Sequence, residues 1–256
     1  MKEYNKRLSI IFLCFLLYIS GVGCTDKADG ATAYAQALLP EGQDAGEEYI
    51  DSFIFLGEST TYHLKSRGVL KGGTQTTQVW SNKLGTINLD ATISALEIVY
   101  PQTGEQLPLA EALRRSCPER ILLTFGLNGA VDKIRRGEEY FKACYLSLIN
   151  VIREASPDTD IILQSCFPIG RDMDMSAYTV DATTLNGYID TINSWTLRLA
   201  TREGLKYLNT AEVLRDSEGF LKAEYAAEDS YHLNTEAYRA ILLYIRTHPY
   251  KEGIVN

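Results

Sequence analysis

The chain has 256 residues, 45% of them hydrophobic and 23% charged, and a formal net charge of −8. This is the composition of a globular protein and excludes a disordered or fibrous one. An acidic chain with no basic stripe also lacks the footprint that a phosphate backbone demands, which argues against a nucleic-acid partner.

The N-terminus carries Lys2, Lys6 and Arg7, then an apolar run over residues 8–19, then Gly21, Val22, Gly23 and Cys24. A basic stretch, a short apolar run and small residues form an export signal. The run is shorter than the about 20 apolar residues that span a bilayer. The Gly-Val-Gly-Cys ending resembles a bacterial lipobox, in which the cysteine is diacylated and becomes the mature N-terminus, although Gly21 stands where leucine is usual. The expected organisation is therefore a signal peptide over 1–23, a membrane anchor on Cys24 and an extracytoplasmic location. Residues 24–48, rich in Ala, Gly, Asp and Glu without periodicity, are expected to be a flexible tether. A single domain follows over 49–250.

From residue 52 the pattern alternates between short apolar strands and amphipathic helices, as in an α/β domain. Strands are predicted at residues 52–56, 120–125, 160–164 and 206–208, and helices at 60–67, 138–154, 185–203 and 235–247. Residues 76–80, 86–89 and 96–100 look like strands, with turn chemistry in Pro101-Gln102-Thr103-Gly104. Together they suggest a small β-ribbon inserted between strands of the main sheet. Cys117, Cys144 and Cys166 remain for the domain. Three cannot all pair, and they have no CxxC spacing or histidine cluster, so they are expected to be buried free thiols with no metal.

Three segments fall where an α/β sheet presents side chains at the carboxyl ends of its strands. Ser59 follows a strand and a Gly-containing turn and opens a helix, so its hydroxyl and N–H face out of the sheet edge, where helix N–H groups suit a developing oxyanion. Taken alone, it reads more readily as an ordinary helix-capping serine. The chain has three histidines, and only His232 has a carboxylate, Asp229, three residues upstream in a loop before a helix. That spacing lets the carboxylate hold Nδ1–H and leave Nε2 free to take a serine proton. His63 and His248 read as helix-surface and helix-end residues. Asn128, after Gly126-Leu127, offers a neutral amide donor, although Asn-Gly is also a common turn pair.

In order, FLGEST around Ser59, TFGLNG around Asn128 and DSYHLN around His232 resemble the blocks of the SGNH/GDSL hydrolases. The resemblance covers about residues 52–247. It implies a flavodoxin-like three-layer α/β/α sandwich with a mainly parallel sheet. It further implies metal- and cofactor-independent ester hydrolysis, with Ser59 as nucleophile, His232 as base, Asp229 as its orienter, and Ser59 N–H and Asn128 as oxyanion donors. The family's loop glycine has no direct counterpart after Trp80, where Ser81 or Gly85 would supply the further donor. Glu58 stands where the family has Asp; Glu58→Asp, a step towards the family pattern, is expected to keep or raise activity. The implied partners are an ester substrate, an acylated glycan or cell-wall ester, and the membrane. The rival expectation is a lipid-anchored glycan-binding or scaffold protein that keeps the fold without turnover.

Overall fold

A computed structural model describes residues 33–250. The expected signal peptide, Cys24 and the chain up to residue 32 lie outside the described residues.

Five parallel strands form the central sheet: β1 (Phe53–Gly57), β2 (Val79–Trp80), β5 (Arg120–Thr124), β6 (Asp160–Gln164) and β7 (Lys206–Leu208), in the order β2-β1-β5-β6-β7. In register, Phe55 lies opposite Leu122, and Leu122 opposite Ile162. Successive side chains leave a strand on opposite faces. Leu56, Ile121, Leu123 and Leu163 therefore enter one hydrophobic cluster, and Phe53, Phe55, Leu122 and Ile162 the other. Strands buried on both faces read as near-continuous apolar runs, which is why 121–123 and 161–163 are apolar without a break.

The helices α3 (Leu109–Ser116), α5 (Glu138–Ala155) and α6 (Ala182–Glu203) cover the first face. The helices α1 (Glu47–Asp51), α2 (Ser59–Ser66) and α8 (Thr235–Thr247) cover the second. Between these elements lie the short helices α4 (Ala130–Arg136) and α7 (Ala211–Leu214). The predicted three-layer α/β/α arrangement stands. The closing helix begins as expected: Asn234 is its cap, and its side chain accepts the N–H of Ala237 at 3.0 Å.

Three expectations are corrected. The ribbon is smaller than expected and differently composed: β3 (Glu97–Val99) pairs antiparallel with β4 (Gln106–Pro108) around the predicted turn. Residues 79–80 belong instead to the edge of the main sheet, and 86–89 form no strand. Their alternation arises because Ile87 and Leu89 are buried in the core from an irregular segment. Cys117, although free like Cys144 and Cys166, is exposed rather than buried, because it ends α3 with φ 42 and turns out of the helix. Residues 37–45, expected to be flexible, pack on the domain. Leu38 bridges to Tyr207, Ala37 and Leu39 are buried, and Gly42 and Ala45 donate to the carbonyls of Thr247 and Arg246.

Candidate active site

The site lies at the carboxyl ends of β1 and β5. At the end of β1, a side chain on Gly57 would collide with Thr61 Oγ1 and the Thr124 carbonyl. Only glycine lets α2 start so close to β5. Glu58 is the extended residue before α2, yet its side chain does not cap the helix. It turns inward and is 2% exposed. Its Oε1 accepts the N–H of Gly126 and its Oε2 the N–H of Asn128, both at 2.9 Å. Burial pushes the Glu58 carboxyl up, against the pull of Lys133 and of the backbone N–H groups of 126–128. Lys133, itself buried, donates from Nζ to the Asn128 carbonyl. Gly126 has φ 135, and a Cβ there would strike Ile192 and Cys166, so this loop too requires glycine.

Ser59 is the first residue of α2. Its Oγ is 3.2 Å from Nε2 of His232, whose Nδ1 is 2.6 Å from Asp229 Oδ2. The other Asp229 oxygen, Oδ1, accepts the N–H of His232 at 2.8 Å and of Tyr231 at 3.1 Å. One carboxylate thus shapes the loop and holds the ring. Burial raises the Asp229 carboxyl, but these bonds from His232 and Tyr231 outweigh it, and the net shift is downwards. A charged Asp229 on Nδ1–H leaves Nε2 as the acceptor facing the Ser59 hydroxyl. The loop is pinned on its far side by the Gly170 N–H, which donates to Ser230 O at 2.7 Å. Across the second layer, Tyr238 of α8 donates to the Thr60 carbonyl at 2.6 Å and ties the helix after His232 to the helix that begins with Ser59.

The three predicted segments therefore meet, brought from positions 173 residues apart in the case of Ser59 and His232. Asn128 is half-buried beside them, with its Oδ1 accepting Tyr231 O–H at 3.0 Å and its Nδ2 donating to Thr86 Oγ1 at 3.0 Å. Gly85 is differently disposed. Its N–H donates to Asn82 O at 3.1 Å and is already spent, and a side chain there would press on the Tyr62 ring. His63 is no plain surface residue: its ring lies 4.5 Å from that of His232. Its place four residues after Ser59 on the same helix face was the available signal. Lys133 and Tyr231 were not singled out by sequence reasoning, since neither carries a motif meaning of its own.

Serine, imidazole and carboxylate in one hydrogen-bonded line, at the strand ends of a parallel α/β sheet and beside a backbone-anchored amide, define the hydrolase class of α/β protein. The sequence model of the GDSL-like lipase/acylhydrolase family matches residues 55–240, and the chain belongs to that family, whose chemistry is ester hydrolysis. Among solved structures it is similar to a DUF4886 family protein from Bacteroides uniformis, at 15% identity over 80% of this chain and 88% of that one, with a TM-score of 0.50. It is also similar to a GDSL-like lipase from Bacteroides thetaiotaomicron, at 14% identity over 86% and 94% of the two chains, with a TM-score of 0.46. No curated protein matches it.

Proposed function

We propose that this protein is an extracytoplasmic serine esterase that removes acetyl or other short acyl groups from a hydroxyl-rich, carbohydrate or cell-wall, alcohol. The observation that carries the reading is the continuous chain from Ser59 Oγ through His232 to Asp229. Ser59 Oγ attacks the ester carbonyl carbon while its proton passes to His232 Nε2. The carbonyl π pair moves onto oxygen, which rests on the Ser59 N–H and Asn128 Nδ2. Collapse breaks the bond to the alcohol, which leaves with the proton from His232. Water, deprotonated by His232, then repeats the cycle on the acyl-enzyme, releasing the acid and restoring Ser59.

The alcohol departs on the side of the base, because His232 supplies its proton. Beside the Asp229–His232 pair, a cavity of about 610 Å³ is walled by His63, Arg67, Ala226, Ala227 and Glu228. Charged groups and two alanines, with no large apolar wall, suit a sugar-like alcohol better than a fatty one. The experiment is acetate release from acetylated sugars and from an aryl acetate, compared with long-chain esters, using wild type and Ser59→Ala. Turnover of short esters that disappears in Ser59→Ala is expected. Hydrolysis at the wild-type rate in Ser59→Ala overturns the mechanism.

The second reading, a glycan binder without turnover, is favoured by one feature: the Asn128 amide already donates to Thr86 and Asn88. A folded protein that binds glycan and cleaves no ester in that screen would establish it. In the favoured reading the chain is exported and held at the membrane by acylation of Cys24. Labelled fatty acid should enter the wild-type protein, and Cys24→Ala should appear in the soluble fraction.

A further inference from the structure

The amide of Asn128 is gripped from both ends. Its Oδ1 accepts the Tyr231 O–H at 3.0 Å. Its Nδ2 donates to Thr86 Oγ1 at 3.0 Å and, more weakly, to Asn88 Oδ1 at 3.4 Å. The backbone of the same residue is held independently, its N–H by Glu58 and its carbonyl by Lys133. The position of the residue is thus set by buried charges, and what remains free is rotation of the side-chain amide. The two ends of that amide have nearly the same shape and opposite hydrogen-bonding character. Turned one way it offers an N–H to an oxyanion; turned the other way it offers a repelling oxygen.

The groups at the Nδ2 end do not choose between these states. The Thr86 hydroxyl can donate or accept, and the Asn88 amide can itself turn. Tyr231 does choose. Burial, and then the charge of Glu58, hold its phenol well above its usual range, so the oxygen keeps its proton. The acceptor for that proton is Asn128 Oδ1. If the amide flipped, the phenol oxygen would accept from the N–H₂ group instead, and its own proton would lose the acceptor that Asn128 Oδ1 provides. Tyr231 also reaches the other half of the site: its N–H donates to Asp229 Oδ1 at 3.1 Å, and its ring stands edge-on to the His232 ring at 4.9 Å.

We infer that Tyr231 is a positioning residue that fixes the Asn128 amide with its oxygen on the phenol, so that Nδ2 is the end presented to the oxyanion. The inference rests on the serine-esterase reading above. It also gives the internal bond from Nδ2 to Asn88 a role, as the longer contact that yields when an oxyanion forms.

The test is Tyr231→Phe, which keeps the ring beside His232 and removes only the O–H. With an aryl acetate, kcat should fall about 10-fold while KM stays within about 2-fold, because the loss falls on the transition state. In an Asn128→Ala background the same change should alter kcat by less than about 2-fold, since no amide is left to orient. Thr86→Val, at the indifferent end, should leave kcat unchanged or raised; it serves as a second variant if Tyr231→Phe proves unstable by thermal unfolding. The inference is overturned if Tyr231→Phe has wild-type kcat, if it loses the same factor with and without Asn128, or if Thr86→Val costs as much as Tyr231→Phe. If Ser59→Ala leaves hydrolysis intact, the esterase reading itself falls. If Ser59→Ala abolishes turnover while Tyr231→Phe does nothing, only the present inference falls.

Discussion

Ser59 sits where two requirements meet: its Oγ has to reach Nε2 of His232, and its N–H has to remain at the open end of a helix. Both follow from its place directly after Glu58, whose side chain leaves the helix end uncapped because it is committed to Gly126 and Asn128. Ser59→Ala and His232→Ala should each remove nearly all turnover, and the double variant should be little worse than either, since parts of one proton-transfer unit are not additive. Asp229→Ala should be milder. Asn128→Ala should lower kcat by roughly 10²- to 10³-fold, the usual loss for an oxyanion donor. Steady-state kinetics on one aryl acetate check all four, and additive losses for Ser59 and His232 would separate them. The geometry also reverses the sequence-based expectation for Glu58→Asp. Each Glu58 oxygen holds one backbone N–H across a buried gap, and a side chain shorter by about 1.5 Å cannot span both. Leaving one buried N–H unpaired costs about 1–3 kcal/mol and loosens the loop that carries Asn128. Glu58→Asp should therefore lose activity, by about 10-fold or more in kcat, and an unchanged kcat would show that the loop is held by other contacts.

At the scale of elements, legibility followed burial. The strands at 120–124 and 160–164 bury apolar side chains on both faces and could be read directly, and α8 spans the predicted 235–247. β2 has only two residues, Val79 and Trp80, too few to show a period. The alternation of Ile87 and Leu89 nearby suggested a pairing that the irregular backbone does not make. The motif residues Ser59, Asn128, Asp229 and His232 were legible because spacing and chain order carry their chemistry. Lys133 and Tyr231 were not, because a lysine on a helix is ordinarily solvated and spacing does not say where a phenol points. His63 lies between these cases: its helix places it beside His232, but its environment emerges only from the fold. Burial first, then the charges of His232 and Arg67, push His63 down to about 4, from 6.5. Between these values the unfolded chain binds the extra proton, so stability rises with pH across the window and is lost as pH falls from about 6.5 to about 4. His63→Gln should lack this component. Urea unfolding at pH 7 and pH 4.5 should show wild type losing more stability than the variant on acidification, and parallel losses would mean that His63 does not titrate this way.

For the whole molecule, where the domain begins matters to the proposed anchoring at Cys24, which would join the site to the membrane through whatever lies between. Residues 37–48 are composed like a linker but behave as part of the fold. Ala37 and Leu39 are 4% and 6% exposed, Leu39 donates to the Tyr207 carbonyl at 2.9 Å, and Arg246 pairs with Asp44 and Glu47. Burying a leucine is worth about 1.5–3 kcal/mol, whereas such surface pairs add about 0–1 kcal/mol. A chain beginning at residue 49 should therefore be less stable than one beginning at residue 33 by about 2–4 kcal/mol. The contacts of Gly42 and Ala45 fall on Thr247 and Arg246, at the far end of a 13-residue helix that starts just after His232. At 1.5 Å per residue that end lies about 20 Å from the base, so folded molecules of the two lengths should share the same kcat. Urea midpoints and kcat on one ester, measured for both chains, decide the matter. A lower midpoint with unchanged kcat is the expected pair of results. Equal midpoints would return residues 37–48 to the tether, and a kcat that fell with the midpoint would mean that the packing of this segment reaches the site through α8.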